Sequence, residues 1–145
     1  MIGLIQRVSE ARVEVAGEPV GAIGTGLLVL VGVVPADTES NAARLAERLL
    51  GYRIFEDASG RMNLSVRDIR GGVLAVPQFT LAADTRKGTR PSFSGAAAPA
   101  QAEALYEALL RALGESGLQI GRGRFGADMQ VSLTNQGPVT LWLEG

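Results

Sequence analysis

The sequence predicts an α+β domain in which β-rich sheets are covered by two main helices. Three observations carry this. Apolar residues alternate or run in short blocks along most of the chain, which is the pattern of strands. Only the segments 38–51 and 99–114 carry an apolar stripe at helical spacing. Those two helices stand isolated among runs of strands, which argues against a doubly wound sheet. With 145 residues, 46% of them hydrophobic, the chain fits one domain, residues 1–145, with a sizeable core.

The elements follow in order. Ile2 to Ala16 alternates in part, with Arg12 and Glu14 opposite Val13 and Val15, and Gly17-Glu18-Pro19 reads as a turn, so the chain opens as a hairpin or meander. Gly26 to Val34 is a nearly unbroken apolar run, suited to a central strand covered on both faces. Asp37 or Thr38 caps the first helix, whose stripe is Ala42, Leu45, Ala46 and Leu49 and which Gly51 ends. Arg53-Ile54-Phe55 and Met62-Asn63-Leu64 flank the turn Asp57-Ala58-Ser59-Gly60 as a second hairpin.

Val73 to Leu81 is a further strand, but Pro77 lacks an amide hydrogen, which predicts a sheet edge, a bulge or a break in the ladder. A break leaves nearby amides free. Pro99 suits the first position of the second helix, whose stripe Ala102, Leu105, Tyr106, Leu109 and Leu113 runs to Gly114. Met129 to Leu133 and Val139 to Leu143 read as strands paired across the turn Asn135-Gln136-Gly137-Pro138.

Composition excludes much chemistry. The absence of Cys removes disulfides, thiolate nucleophiles and thiolate metal sites, and the absence of His removes the usual general base and the commonest zinc ligand. Asp57, Asp68, Asp84 and Asp128 are scattered, so neither a metal nor a cofactor is expected. No signal segment opens the chain and Leu27 to Val34 is too short to cross a bilayer, so a cytoplasmic protein without a membrane partner is expected. A net charge of −1 and a pI near 5.5 give no global field toward nucleic acid. Any RNA contact must be local, through Arg86, Lys87 and Arg90 in one loop or Arg122 and Arg124 around Gly123, residues equally suited to solvated surface.

Two segments stand out, Gln78-Phe79-Thr80-Leu81 and Asn135-Gln136-Gly137-Pro138-Val139-Thr140, and together they suggest a substrate pocket. A Gly-Pro bond lacks one amide donor, adopts cis more readily than other bonds and leaves two carbonyls to face a ligand, although the same residues also make an ordinary turn. Thr80 is the obvious nucleophile candidate, yet there is no His to activate it, and Lys87, the only lysine, sits in a flexible loop. It equally suits a strand. Phe79, Phe125 and Met129 fit either a pocket wall or a core, and composition alone makes Arg7 a solvated strand residue.

The strings Met1-Ile2-Gly3-Leu4-Ile5-Gln6-Arg7-Val8, Leu49-Leu50-Gly51-Tyr52-Arg53-Ile54-Phe55, Met62-Asn63-Leu64, Arg90-Pro91-Ser92-Phe93, Gly123-Arg124-Phe125 and Met129-Gln130-Val131-Ser132-Leu133 occur in an order and spacing that resemble the D-aminoacyl-tRNA deacylase family. The resemblance spans nearly the whole chain. It implies a partly barrel-like homodimer that hydrolyses the ester of D-aminoacyl-tRNA to free D-amino acid and tRNA, with some leak onto glycyl-tRNA. Gln78, Phe79 and Thr80 would serve catalysis, the amides of Phe79 and Thr80 forming an oxyanion hole while the terminal ribose hydroxyl of the tRNA assists.

The resemblance also implies that Gly137-Pro138 of one subunit, in cis, reaches the partner's pocket, binds the substrate's α-ammonium and excludes L side chains by a clash. Asn135 belongs to that turn, Arg7 and Met129 would lie beside it and help hold it, and Phe125 would wall the pocket or stack on the terminal adenine. Arg86, Lys87, Arg90, Arg122 and Arg124 would contact RNA. One departure is Pro77, where the family usually has serine. Two rival readings are a non-catalytic tRNA-binding module of the same fold and a domain acting on free D-amino acid derivatives.

Overall fold

The computed structural model describes all 145 residues. Its elements are β1 (Ile2–Val15), β2 (Glu18–Ile23), β3 (Gly26–Gly32), α1 (Glu39–Gly51), β4 (Phe55–Glu56), β5 (Met62–Leu64), β6 (Gly72–Pro77), a 3₁₀ turn (Phe79–Ala82), α2 (Pro99–Gly114), β7 (Ile120–Arg122) and β8 (Gln130–Glu144). β1 organises the sheet. One of its edges pairs antiparallel with β8, and the other pairs with β3 through Ile2 to Val8 and then with β2 through Ala11 to Val15. The parallel strands β6 and β7 extend the order to β2-β1-β3-β6-β7. β7 returns against β2: a Cβ added to Gly21 would lie 2.4 Å from the Arg122 carbonyl oxygen, so the backbones touch and the sheet nearly closes into a barrel.

Strand alternation sorts the side chains into two cores. Val8, Ala11, Val13, Leu28, Leu74 and Val76 fill the barrel. Ile5, Leu27, Val29 and Val73 turn outward, beneath Leu45 and Leu49 of α1 and Leu109 and Leu113 of α2. The predicted central strand is therefore covered on both faces, and both predicted helical stripes are buried. Thr38 caps α1, its amide donating to Asn41 Oδ1 at 2.8 Å. Asp37 is drawn elsewhere, accepting from the Met1 ammonium at 2.6 Å and from the Val34 amide at 2.8 Å. No helix is long and apolar enough to cross a membrane.

Four expectations are corrected. The opening turn is Ala16-Gly17, with φ of 49° and 81°, as a two-residue hairpin requires; Pro19 lies in β2 beside a bulge at Val13/Glu14. The strand read as far as Leu81 ends at Pro77, the break that the proline allowed, but it is internal, between β3 and β7, and not an edge. Proline is tolerated there because β7 ends at Arg122, opposite Ala75, leaving residue 77 no β7 acceptor to lose. β7 itself, three residues around a glycine, was not expected as a strand. Finally, residues 130–144 form one strand rather than a hairpin, because continuous β1 supplies partners to both halves.

Tyr106 joins α2 to the sheet, its hydroxyl donating to the Ala75 carbonyl at 2.7 Å. Burial pushes its pKa from 10 up to about 12. Between those values the unfolded tyrosine has lost its proton while the native one keeps it, so stability should be level below about pH 10 and fall toward about pH 12. Urea melts across that range should show this limb in the parent chain and a flatter one in Tyr106→Phe, which also loses about 1 kcal/mol with its hydrogen bond.

Candidate functional site

A cleft of about 610 Å³ opens at the carboxyl end of β6, between the 3₁₀ turn, the start of α2 and the segment running from β7 into β8. Its walls are mostly apolar, with Phe79, Phe93, Phe125 and Met129 prominent. Close approach of backbones shapes it. A Cβ on Gly123 would stand 2.9 Å from Met129 Sδ and 3.2 Å from Pro77 Cδ, so these walls meet closely across a glycine. Phe79 is 58% exposed and Phe93 42%, their rings edge-on at 5.1 Å, which removes Phe79 from the core. Phe125 is half-buried against Tyr106, 6.4 Å between ring centres, and so serves wall and core together.

Gln78 and Phe79, where the 3₁₀ turn begins, line one side of the cleft. Bonds in the 3₁₀ turn run from the Leu81 amide to the Gln78 carbonyl and from the Ala83 amide to the Thr80 carbonyl, so the first amides, of Phe79 and Thr80, have no partner within the turn. The turn frees them. Pro77 was expected to do so, but the next amide, of Gln78, is spent on the Val31 carbonyl at 2.8 Å. Thr80 Oγ1 accepts a hydrogen bond from the Gln78 side-chain amide, which cannot act as a base.

Charges around the cleft are sparse. Arg86 grips Asp84 with two bonds of 2.9 and 2.8 Å, which hold the Asp84 carboxyl below its usual range. Arg122 pairs with Glu107 and lies 5.6 Å from the centre of the Tyr106 ring. Lys87, Arg90 and Arg124 are exposed and belong to none of the ion pairs. The carboxylates form no cluster that could hold a metal ion.

The second segment is an extruded bulge. Gln6 pairs with Thr140 and Val8 with Asn135, so residues 136–139 stand opposite Arg7 alone. Asn135 clamps the bulge, its Oδ1 accepting from the Val139 amide and its Nδ2 donating to Thr140 Oγ1, both at 2.8 Å. Gly137-Pro138 is cis, and Gly137 has φ 136°, a region suited to glycine. Arg7, read from composition as solvated, is buried. Its Nε donates to the Gln136 carbonyl at 2.8 Å and its Nη1 to the Ile54 carbonyl at 2.7 Å. The clue in the sequence was the strand period, which puts Arg7 on the face of fully buried Ile5.

One chain does not bring cleft and bulge together. Pro77 is level with Val31, Gly3 and Leu143, whereas the bulge lies opposite Arg7, so three strand spacings and four residues of rise put them on the order of 20 Å apart. Met129 is placed on the cleft side within one chain. It lies on the cleft at the far end of β8, away from the Gly-Pro turn of its own chain. Phe93 and Asp128 are among the cleft residues that had no role assigned from the sequence; a lone aromatic in a Pro/Ser/Gly loop was the available signal for Phe93.

The fold and cleft define a class of small barrel proteins backed by two helices, with a mostly apolar cleft at the carboxyl end of β6. A family model described as D-Tyr-tRNA(Tyr) deacylase matches residues 4–144, and the chain belongs to that family. It is 65% identical over 144 residues to the D-aminoacyl-tRNA deacylase of Alkalilimnicola ehrlichii, covering 99% of this chain and 96% of that one. It is 60% identical over 144 residues to the protein of the same name from Klebsiella pneumoniae, covering 99% of each. Among solved structures, one called c-Myc DNA unwinding element binding protein superposes with a TM-score of 0.94 at 41% identity, covering 100% of this chain and 99% of that one. A probable eukaryotic D-amino acid tRNA deacylase shares the fold, with a TM-score of 0.86 at 17% identity over 99% of this chain and 98% of its own.

Proposed function

We propose that this protein hydrolyses the ester of D-aminoacyl-tRNA in the cytoplasm, releasing free D-amino acid and tRNA, and rejects L-aminoacyl-tRNA. The observation that carries this reading is an apolar cleft lined by Gln78 and Phe79, at the start of a turn whose first two amides, of Phe79 and Thr80, have no partner within the turn. The ester carbonyl oxygen sits against these amides, which stabilise the charge that develops as water adds to the carbonyl carbon. The bond to the ribose oxygen then breaks, and that oxygen leaves with a proton. Such donors are each worth about 2.7–4 kcal/mol. The neighbouring ribose hydroxyl of the substrate assists the step, which suits a chain without histidine. With the amides carrying catalysis, Pro77 in place of the family's usual serine is compatible with activity.

Selectivity is assigned to the bulge. The separation of bulge and cleft within one chain supports a homodimer in which each bulge enters the other subunit's cleft. The carbonyls of Gly137 and Pro138 then accept hydrogen bonds from the α-ammonium, and the bulge occupies the space of an L side chain. Glycine has no side chain to exclude, so glycyl-tRNA is also cleaved. Met129 and Phe125 wall the aminoacyl end. Of the five basic candidates, Lys87, Arg90 and Arg124 are free for tRNA phosphates, while Arg86 and Arg122 answer first to their own carboxylates.

The test compares D-tyrosyl-tRNA, L-tyrosyl-tRNA and D-tyrosyl-tRNA ending in 2′-deoxyadenosine. Loss of the D-ester alone, abolished by the deoxy change, is expected. tRNA binding without cleavage of any ester would instead identify a non-catalytic module, and indifference to the RNA moiety a small-molecule hydrolase. Thr80→Ala is expected to cost less than about tenfold in kcat/KM. A fall to background in a folded, tRNA-binding variant would make the hydroxyl a nucleophile.

A further inference from the structure

We propose that Asp128 is a substrate-binding residue that supplies the counter-charge for the α-ammonium of the aminoacyl group, an inference that rests on placing the reaction in this cleft. Asp128 is the one ionisable residue lining the cleft. It is exposed and enters none of the four ion pairs of the chain, so its charge is not spent internally. A single carboxylate at an opening with low-dielectric walls focuses its field on whatever cation enters.

The segment that carries it is held at both ends. The Ala127 amide donates to the Arg124 carbonyl at 3.2 Å, and the sulfur of Met129 packs against Gly123 while accepting from the Arg124 amide at 3.4 Å. Asp128 is thus fixed between two anchored neighbours. The chemistry of the substrate fits this charge. The aminoacylated end of the tRNA brings one cation, the α-ammonium, and an anion, the phosphate on the 5′ side of the terminal adenosine. A carboxylate at the rim attracts the first and repels the second, so it selects which end enters. The ammonium also has three N–H donors. The two carbonyls of the bulge leave the third free, and an ionised acceptor binds it more strongly than a neutral one.

Binding of 3′-D-tyrosylamino-3′-deoxyadenosine, which is stable to hydrolysis, and of its α-hydroxy counterpart, which has no charge, tests this in the dimeric protein. Asp128→Asn is expected to weaken the tyrosyl compound about tenfold, with Asp128→Glu recovering most of the loss, and to change the α-hydroxy compound far less. Equal weakening of both compounds, or tyrosyl binding within about twofold of the parent, overturns the role of Asp128, provided that Phe79→Ala weakens both compounds and so shows the cleft occupied. If Phe79→Ala weakens neither, the placement of the reaction in this cleft falls first.

Discussion

Arg7→Ala is expected to lower kcat/KM for D-tyrosyl-tRNA by at least about 100-fold, because a displacement of about 1 Å in a positioning group can cost that much. The buried guanidinium is the only side chain that joins the bulge, through Gln136, to the hairpin base, through Ile54. Truncation leaves two carbonyls short of a donor, at a cost of about 1–3 kcal/mol each where they stay dry. It also opens space beneath Gly137, whose added Cβ would lie only 2.9 Å from Arg7 Nη2. Stability in urea should fall together with activity.

Arg7→Lys keeps the charge and guards against a variant that fails to fold. A compact ammonium cannot reproduce a planar fork spanning two carbonyls, so most of the activity should still be lost while most of the stability returns. Hydrolysis at the parent rate by folded Arg7→Lys would remove Arg7 as the group that positions the bulge.

Mixing two inactive variants should restore activity. The cleft variant is Phe79→Pro, which deletes both a ring and an amide donor. Proline suits the first position of the turn, and Gln78 before it has φ −142° and ψ 78°, outside the α region that a following proline disfavours. Loss of the amide should cost about 100- to 1000-fold in kcat, and Phe79→Ala, which keeps the amide, separates out the effect of the ring. The bulge variant is Arg7→Lys. Random re-pairing makes half of the dimers mixed, each with one site built from an intact cleft and an intact bulge, so about a quarter of the parent activity should return. No recovery, with subunit exchange confirmed by mass, would mean that cleft and bulge serve no common site.

Much of the architecture was legible in the sequence. The stripe Ala42, Leu45, Ala46 and Leu49 and the stripe Ala102 to Leu113 lie buried on the predicted helices, because a period of 3.6 residues is visible within a single segment. The apolar run from Gly26 was equally informative about a strand with two covered faces. Pro77 announced the end of its strand but not its place inside the sheet, which depends on β7 stopping two residues early, and β7 has too few residues to announce itself. Asn135 to Pro138 carries sound turn chemistry, but whether such a segment reverses the chain or bulges from it depends on the strand opposite.

The same division holds for the candidate site. By itself the sequence determined the elements, the class of chemistry open to a chain without Cys or His, and the two segments that carry the unusual backbone groups. Tertiary structure alone decided that Arg7 is buried beneath Gly137, that the 3₁₀ turn and not Pro77 frees the two amides, and that bulge and cleft stand apart in one chain. The reason is range. Periodicity, capping and turn chemistry are set by neighbours a few residues apart, whereas the register of β8 on β1 is set by partners more than a hundred residues distant, and that register decides which groups meet.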